Sequence, residues 1–290
     1  MVVEFSFDAL RRAPDVEADN LFAADAADRL LLDEAAEALE AAAGAPGSVT
    51  VIGDDYGAIT LAAAAVLGLD GIRVHQDALA AERALAANAG RFGDPGLAAR
   101  YTTLPLGEEL LRGATVVLLR LPRHLAQLDE IARAIATWAA PDVVVYATGR
   151  LKHMTPAMNE VLGASFGEVR ATLARQKSRV LVASNPRTDA APATLRREFH
   201  DDLGLWVCAS GSVFAGTGID IGTRLLLEHL DAVGHRRRSS AATHVAIDLG
   251  CGSGVLATAL ARSRPDLRVV ATDQSAAAVL SATATLEANG

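Results

Sequence analysis

The chain reads as an α/β protein of two doubly wound units in tandem, the second of them incomplete. Three observations lead there. Short apolar runs of strand type alternate with longer runs of helical spacing. The same opening occurs twice, with Gly53 and Gly250 197 positions apart and Asp77 and Asp273 196 apart, as in a duplicated unit. Between the copies, residues 184–193 are rich in proline and small polar residues. Domains of 1–184 and 194–290 are therefore expected.

In the first copy, a strand over 49–52 leads into Gly53-Asp-Asp-Tyr-Gly57 and an alanine-rich helix over 58–67. A second strand is expected over 72–75, ending at Asp77, then a helix from about 78 to 90. Strands follow near 100–104 and over 115–119, the latter running into Leu121-Pro-Arg123. Leu125, Leu128, Ile131, Ile135 and Trp138 recur at helical spacing over 124–139, and Pro141 ends that helix. A buried-type strand over 143–146 and a short helix around 155–162 come next. Residues 168–173 and 179–183, separated by a polar turn, form an antiparallel pair.

In the second copy, 206–209 and 212–214 are strand-like, and the loop 216–223, with Asp220 near its helix N-cap, feeds a helix over 224–230. Arg236, Arg237 and Arg238 lie in a polar connection at 235–240. Then come a strand at 245–247, the loop 250–254, a helix over 255–261, a strand at 267–272 and a helix ending at Asn289-Gly290.

The loop Asp248-Leu-Gly-Cys-Gly-Ser-Gly254 carries the chemistry. Its glycines let the backbone turn sharply and approach a ligand. A nicotinamide fingerprint is G-x-G-x-x-G, whereas the spacing here is G-x-G-x-G with an acid two residues before the first glycine. That combination points to S-adenosyl-L-methionine (SAM). Asp273, at the end of the second strand, is placed to accept the ribose hydroxyls of an adenosine. The expected cofactor residues are Asp248, Gly250, Cys251, Gly252, Gly254, Asp273 and Gln274. The first copy keeps Gly53 and Gly57 but has Asp54, Asp55 and Tyr56 between them. Two acids there would repel a carboxylate-bearing ligand and a tyrosine would restrict its approach, so this unit is expected not to bind SAM.

Composition narrows the class. No apolar run reaches the ~18–20 residues of a helical membrane span. Residues 1–10 hold two acids and no basic cluster, unlike a secretory signal. Two cysteines, Cys208 and Cys251, fit a reducing, cytoplasmic setting, and no zinc-type spacing exists, so no metal is expected. The net charge of −8 argues against a generic nucleic-acid coat. Residues 150–200 nevertheless hold nine basic and four acidic residues, compatible with one face meeting phosphates. Within them, 170–179, with Arg175, Lys177 and Arg179, is the expected contact with such phosphates.

Phe214-Ala-Gly-Thr-Gly-Ile-Asp-Ile-Gly-Thr223 followed by the Asp248–Gly254 loop resembles the ribosomal RNA guanine-N2 methyltransferases of the RsmC/RlmG type. Asp54-Asp55-Tyr56-Gly57-Ala58, Leu119-Arg120-Leu121-Pro122-Arg123 and Ala174-Arg-Gln-Lys-Ser-Arg179 resemble the large-subunit member, and the likeness covers nearly the whole chain. It implies tandem class I methyltransferase-like (Rossmann-type) domains, the first degenerate, non-catalytic and recognising RNA. It implies methyl transfer from SAM to the exocyclic N2 of a guanine in ribosomal RNA or a ribosomal subunit, in the cytoplasm, with no membrane partner. The family's Asn-Pro-Pro-Phe segment after the fourth strand is absent after Asp273. The chain is therefore expected to be the N-terminal portion of a longer one and inactive alone, and its catalytic residues stay unassigned. The alternative is a non-catalytic RNA- or protein-binding module with a vestigial SAM site. The oligomeric state is left open.

Overall fold

In the computed structural model, residues 5–230 and 244–290 are described, and the chain divides into two compact units, Met1–Ala193 and Thr194–Gly290.

The first unit contains α1 (Ala26–Ala42), β1 (Val49–Ile52), α2 (Ala58–Ala65), β2 (Ile72–His75), α3 (Leu79–Arg91), β3 (Tyr101–Thr103), α4 (Glu108–Leu111), β4 (Val116–Arg120), α5 (Leu125–Trp138), β5 (Val144–Arg150), α6 (Pro156–Ser165), β6 (Phe166–Ala171) and β7 (Ser178–Pro186). They build one seven-stranded sheet in the order β3-β2-β1-β4-β5-β7-β6. The first five strands of that order run parallel, and β7 is antiparallel to both its neighbours. Strands covered on both faces read as continuous apolar runs, and all four residues of β1 are buried. One core packs Leu30, Leu31, Leu39, Ile59, Leu61 and Leu85 of α1–α3 on one face. The other packs Leu110, Leu128, Ile135 and Leu162 of α4–α6. Helix α2 is buried from Ala58 to Ala64, which its alanines permit because small side chains let the backbone sit close to the sheet.

The short α4 was not expected, and two larger features also depart from expectation. Helix α1 was not expected. Asp25 accepts the Ala27 amide while Asp28 accepts the Asp25 amide, a reciprocal cap at the start of a helix that buries Leu30, Leu31, Ala35 and Leu39. The eleven acids of residues 1–50 mask that apolar spacing. Strand β7 also continues into the expected linker: Ser184 lies opposite Glu168 and Pro186 opposite Phe166. Asn185, expected in a turn, sits within the strand at φ +60°. Gly167 makes room for it, since a Cβ there would lie 2.6 Å from the Asn185 amide nitrogen.

The second unit contains β8 (Arg196–His200), β9 (Leu205–Ala209), α7 (Ile221–Leu227), β10 (His244–Leu249), α8 (Val255–Ser263), β11 (Leu267–Thr272) and α9 (Ala276–Ala288). β8 and β9 form an antiparallel hairpin, and β10 and β11 a parallel pair. β8 was not expected, and its alternation of arginines, Glu198 and Phe199 leaves it mostly exposed. The expected strand at 212–214 is a turn instead, with the Val213 amide returning to the Ser210 carbonyl. The arginine triplet at 236–238 lies outside the described residues.

Helix α9 grips β9 through three polar side chains. Ser281 accepts the Ser210 amide (3.1 Å), Thr285 accepts the Cys208 amide (2.9 Å) and donates to its carbonyl (3.2 Å), and Asn289 bonds the Trp206 amide (2.9 Å) and carbonyl (2.8 Å). The match is geometric: four residues of helix rise about 6 Å, close to two residues of strand at ~3.3 Å each. Thr285→Val removes the partner of a buried amide and should destabilise the unit by about 1–3 kcal/mol. Thr283→Val, two residues away on the opposite, exposed face of the helix, should stay within about 0.5 kcal/mol of wild type. Denaturant midpoints of the two variants decide this, and equal midpoints would refute the role of the α9–β9 bonds.

Candidate cofactor site

Strand β10 runs through Asp248 to Leu249, and the loop 250–254 delivers the chain to α8. Gly250, Gly252 and Gly254 have φ of +78°, +52° and +78°, the left-handed region that costs other residues about 1–2 kcal/mol. Their surroundings differ. A Cβ on Gly254 would lie 2.7 Å from the Ala282 Cα, so Gly254 is where α8 and α9 meet. A Cβ on Gly250 or Gly252 would meet nothing within 4 Å, so the loop presents bare backbone to open space.

The loop is tied to the end of β11. The Gly250 and Cys251 amides both donate to the Thr272 carbonyl, at 2.8 and 2.9 Å. Asp273 follows, accepting the Gly252 amide on one carboxylate oxygen (3.0 Å) and the Ser275 amide on the other (2.9 Å). Each oxygen has further lone pairs to offer. Asp248 accepts the Ala257 amide (3.1 Å) in the first turn of α8. Burial pushes the Asp248 carboxyl up, and the neighbouring charge of Asp273 adds to this. Burial, then Asp273 and Asp248, push the Cys251 thiol up to about 11, so it stays a neutral thiol and contributes through its backbone. Gln274 is exposed beside Asp273. The structure thus gathers all seven expected residues around one strand–loop–helix–strand unit.

The first unit repeats this geometry residue for residue at a spacing of 197. The Gly53 amide donates to the His75 carbonyl (3.0 Å), as Gly250 does to Thr272. Gly57 starts α2 at φ +83°, and a Cβ there would strike Leu85, as one on Gly254 would strike Ala282. Asn88 bonds both the amide and the carbonyl of Arg11, as Thr285 does for Cys208. This register corrects the alignment of Asp77 with Asp273: the residue at that position is Gln76.

Gln76 is buried and donates its amide to the Asp54 carbonyl. Asp54 also departs from expectation, because it turns inward, 2% exposed, and accepts the Thr60 amide (2.7 Å), the counterpart of the Ala257 amide. Burial pushes its carboxyl up. Tyr56 donates to Asp15 (2.6 Å) under the Arg12 guanidinium, binding the N-terminal segment over the loop. The loop is therefore closed largely by its own side chains, and of the two acids only Asp55 remains exposed. Beside it, Arg120 pairs with Asp25 and Asp28, and burial pushes the Asp28 carboxyl up to about 6. Gln76 and Asn88 were legible only through a register that no local pattern supplies.

A doubly wound sheet with a C-terminal antiparallel hairpin, joined to a second strand–glycine loop–helix–strand unit ending in an acid, defines a SAM-dependent methyltransferase of Rossmann type. Residues 2–187 match the RLMG N-terminal domain, and residues 204–290 match the methyltransferase small domain. Ribosomal RNA large subunit methyltransferase G of Streptomyces avermitilis is 34% identical, over 97% of this chain and 72% of that protein. The protein of that name from Pseudomonas fluorescens strain Pf-5 is 34% identical, over 94% of this chain and 69% of its own length. A solved T. thermophilus 16S rRNA N2 G1207 methyltransferase, in complex with AdoMet and guanosine, shares the fold with a TM-score of 0.62 at 21% identity, over 89% of this chain and 67% of that one. The chain belongs to the ribosomal RNA large subunit methyltransferase G family.

The glycines make separable predictions. Gly254→Ala incurs both the left-handed strain and a backbone clash, so its unfolding midpoint should fall well below that of Gly252→Ala, which incurs the strain alone. Thermal melts of the two variants test this, and equal midpoints would contradict the packing assigned to Gly254.

Proposed function

We propose that this chain carries the SAM site of a methyltransferase acting on the exocyclic N2 of guanine in ribosomal RNA, in the cytoplasm. The observation that carries the reading is the Asp273 carboxylate bonded to the Gly252 amide beside two glycines whose Cβ positions are vacant. Such a cradle fits an adenosine with a methionine tail: the bare backbone of Gly250, Cys251 and Gly252 admits close approach, and Asp273 accepts hydroxyls. Asp248 holds the loop and α8 in register, Gly254 seats α8 on α9, and Gln274 borders the adenine end. SAM, when bound, supplies an electrophilic methyl group. The guanine amine is a weak nucleophile, because its lone pair is delocalised into the ring, so catalysis rests on alignment. Residues 274–290 contain no Asn-Pro-Pro segment, and these 290 residues alone are proposed to bind SAM without transferring its methyl. The first unit is the RNA-recognising part, and its non-catalytic character is supported by the inward Asp54 and Gln76 at its loop.

Calorimetric titration with SAM tests the site. Asp273→Ala loses charge-assisted bonds of about 1.5–3 kcal/mol each, so affinity should fall on the order of tenfold or more. Asp77→Ala should bind SAM like wild type. Equal losses in both variants, or none, would reject the assignment.

The acceptor atom is tested separately. A chimera of this chain with the remaining part of the Streptomyces avermitilis relative should place labelled methyl on N2 of guanine in large-subunit ribosomal RNA, read by nuclease digestion and mass spectrometry. Label on another atom, or on protein, would overturn the substrate reading.

A further inference from the structure

Three loops of the first unit leave the sheet together. Register places Arg120 of β4 beside Thr148 of β5, and Arg150 of β5 beside Ser178 of β7. Residues 121–125, 150–156 and 172–178 are therefore neighbours at one end of the sheet. The Leu151 amide donates to the Lys177 carbonyl (2.9 Å), and Gly149 lies so close under Leu121 and Met154 that a Cβ on it would be 3.4 and 3.2 Å from them. These three segments carry Arg123, His124, Arg150, Lys152, His153, Arg175 and Lys177, with no aspartate or glutamate among them.

Nearby acids engage two of the cations. Arg150 lies 3.7 Å from Asp25, and Arg175 lies 3.3 and 3.4 Å from Asp33 and Glu34. Arg123, Lys152 and Lys177 are exposed and enter no ion pair among the described residues. Slight desolvation, then the positive charges of Lys152, Arg123 and Arg150, hold the His153 imidazole below its ordinary pKa, which registers how closely these groups gather. In a chain of net charge −8, a patch of like charge drawn from three separate loops calls for an anionic partner. No phenylalanine, tyrosine or tryptophan stands in the three segments, so the patch is suited to phosphates more than to stacked bases.

We propose that Arg123, Lys152 and Lys177 form a phosphate-binding edge through which the first unit holds the RNA backbone. The proposal rests on the ribosomal RNA reading above and names the contact surface for it. It also relocates the contact expected at 170–179. Arg175 is engaged by acids, and Arg179 is half-buried with its Nε enclosed, so only Lys177 of that trio contributes.

The test is the salt dependence of binding by the full chain to fluorescently labelled, protein-free large-subunit ribosomal RNA fragments. With about 0.7 counterions released per phosphate contact on single strands, Arg123→Ala/Lys152→Ala/Lys177→Ala should reduce the slope of log K against log salt by about 2. The charge-conserving Arg123→Lys/Lys152→Arg/Lys177→Arg should retain the wild-type slope. SAM titration and melting of both variants should match wild type, because all three side chains are exposed. An unchanged slope in the alanine variant overturns the edge while leaving the substrate reading intact. Absence of RNA binding by wild type overturns both. A slope lost in the alanine variant and kept in the charge-conserving one, with wild-type melting in both, would uphold the edge even where the wild-type chain itself fails to bind SAM, which would reject the cofactor site alone.

Discussion

In both units, the loop that leaves the first parallel strand hangs by its backbone amides from the last carbonyl of the neighbouring strand: Gly250 and Cys251 from Thr272, and Gly53 from His75. This tether sets the height of the loop over the sheet, the start of the following helix and the positions of the glycines. It also places the next residue, Asp273 or Gln76, within reach of the loop. An acid there accepts a loop amide and keeps lone pairs for a ligand. A carboxamide donates to a loop carbonyl and is buried. The side chain at this one register position helps separate an open cradle from a closed one.

The closed unit replaces a ligand with its own polar groups. The helix amide that Asp248 holds from the strand in one unit is held by Asp54 from the loop in the other. Tyr56 and Asn88 then anchor residues 11–15 across the same loop, and Arg120 is flanked by Asp25 and Asp28 from the start of α1. Buried polar groups of this kind are costly unless partnered, and here most partners come from the N-terminal segment.

Local chemistry was readable from the chain. Glycine spacing, apolar strand runs and the acid after β11 depend on a few adjacent residues, and the strand–loop–helix order followed from them. What escaped depends on register or on remote partners. The offset between Asp77 and Asp273 differs by one from the spacing of the glycines, and one residue decides whether a side chain faces the loop. The paired ends of β6 and β7 hide in a proline-bearing stretch that resembles a linker. Arg123, Lys152 and Lys177 lie far apart in sequence and meet only because β4, β5 and β7 are neighbours.

The polar grip of α9 on β9 has a temporal consequence. Cys208 and Thr285 are 77 residues apart, as are Arg11 and Asn88 in the first unit. At a synthesis rate of about 5–20 residues per second, the earlier segment of each unit leaves the ribosome roughly 4–15 s before its partner helix exists. Water must serve its amides and carbonyls throughout that interval. Each of these polar contacts thus forms only when its later helix arrives, and translation speed sets how long the earlier segment stays available to chaperones.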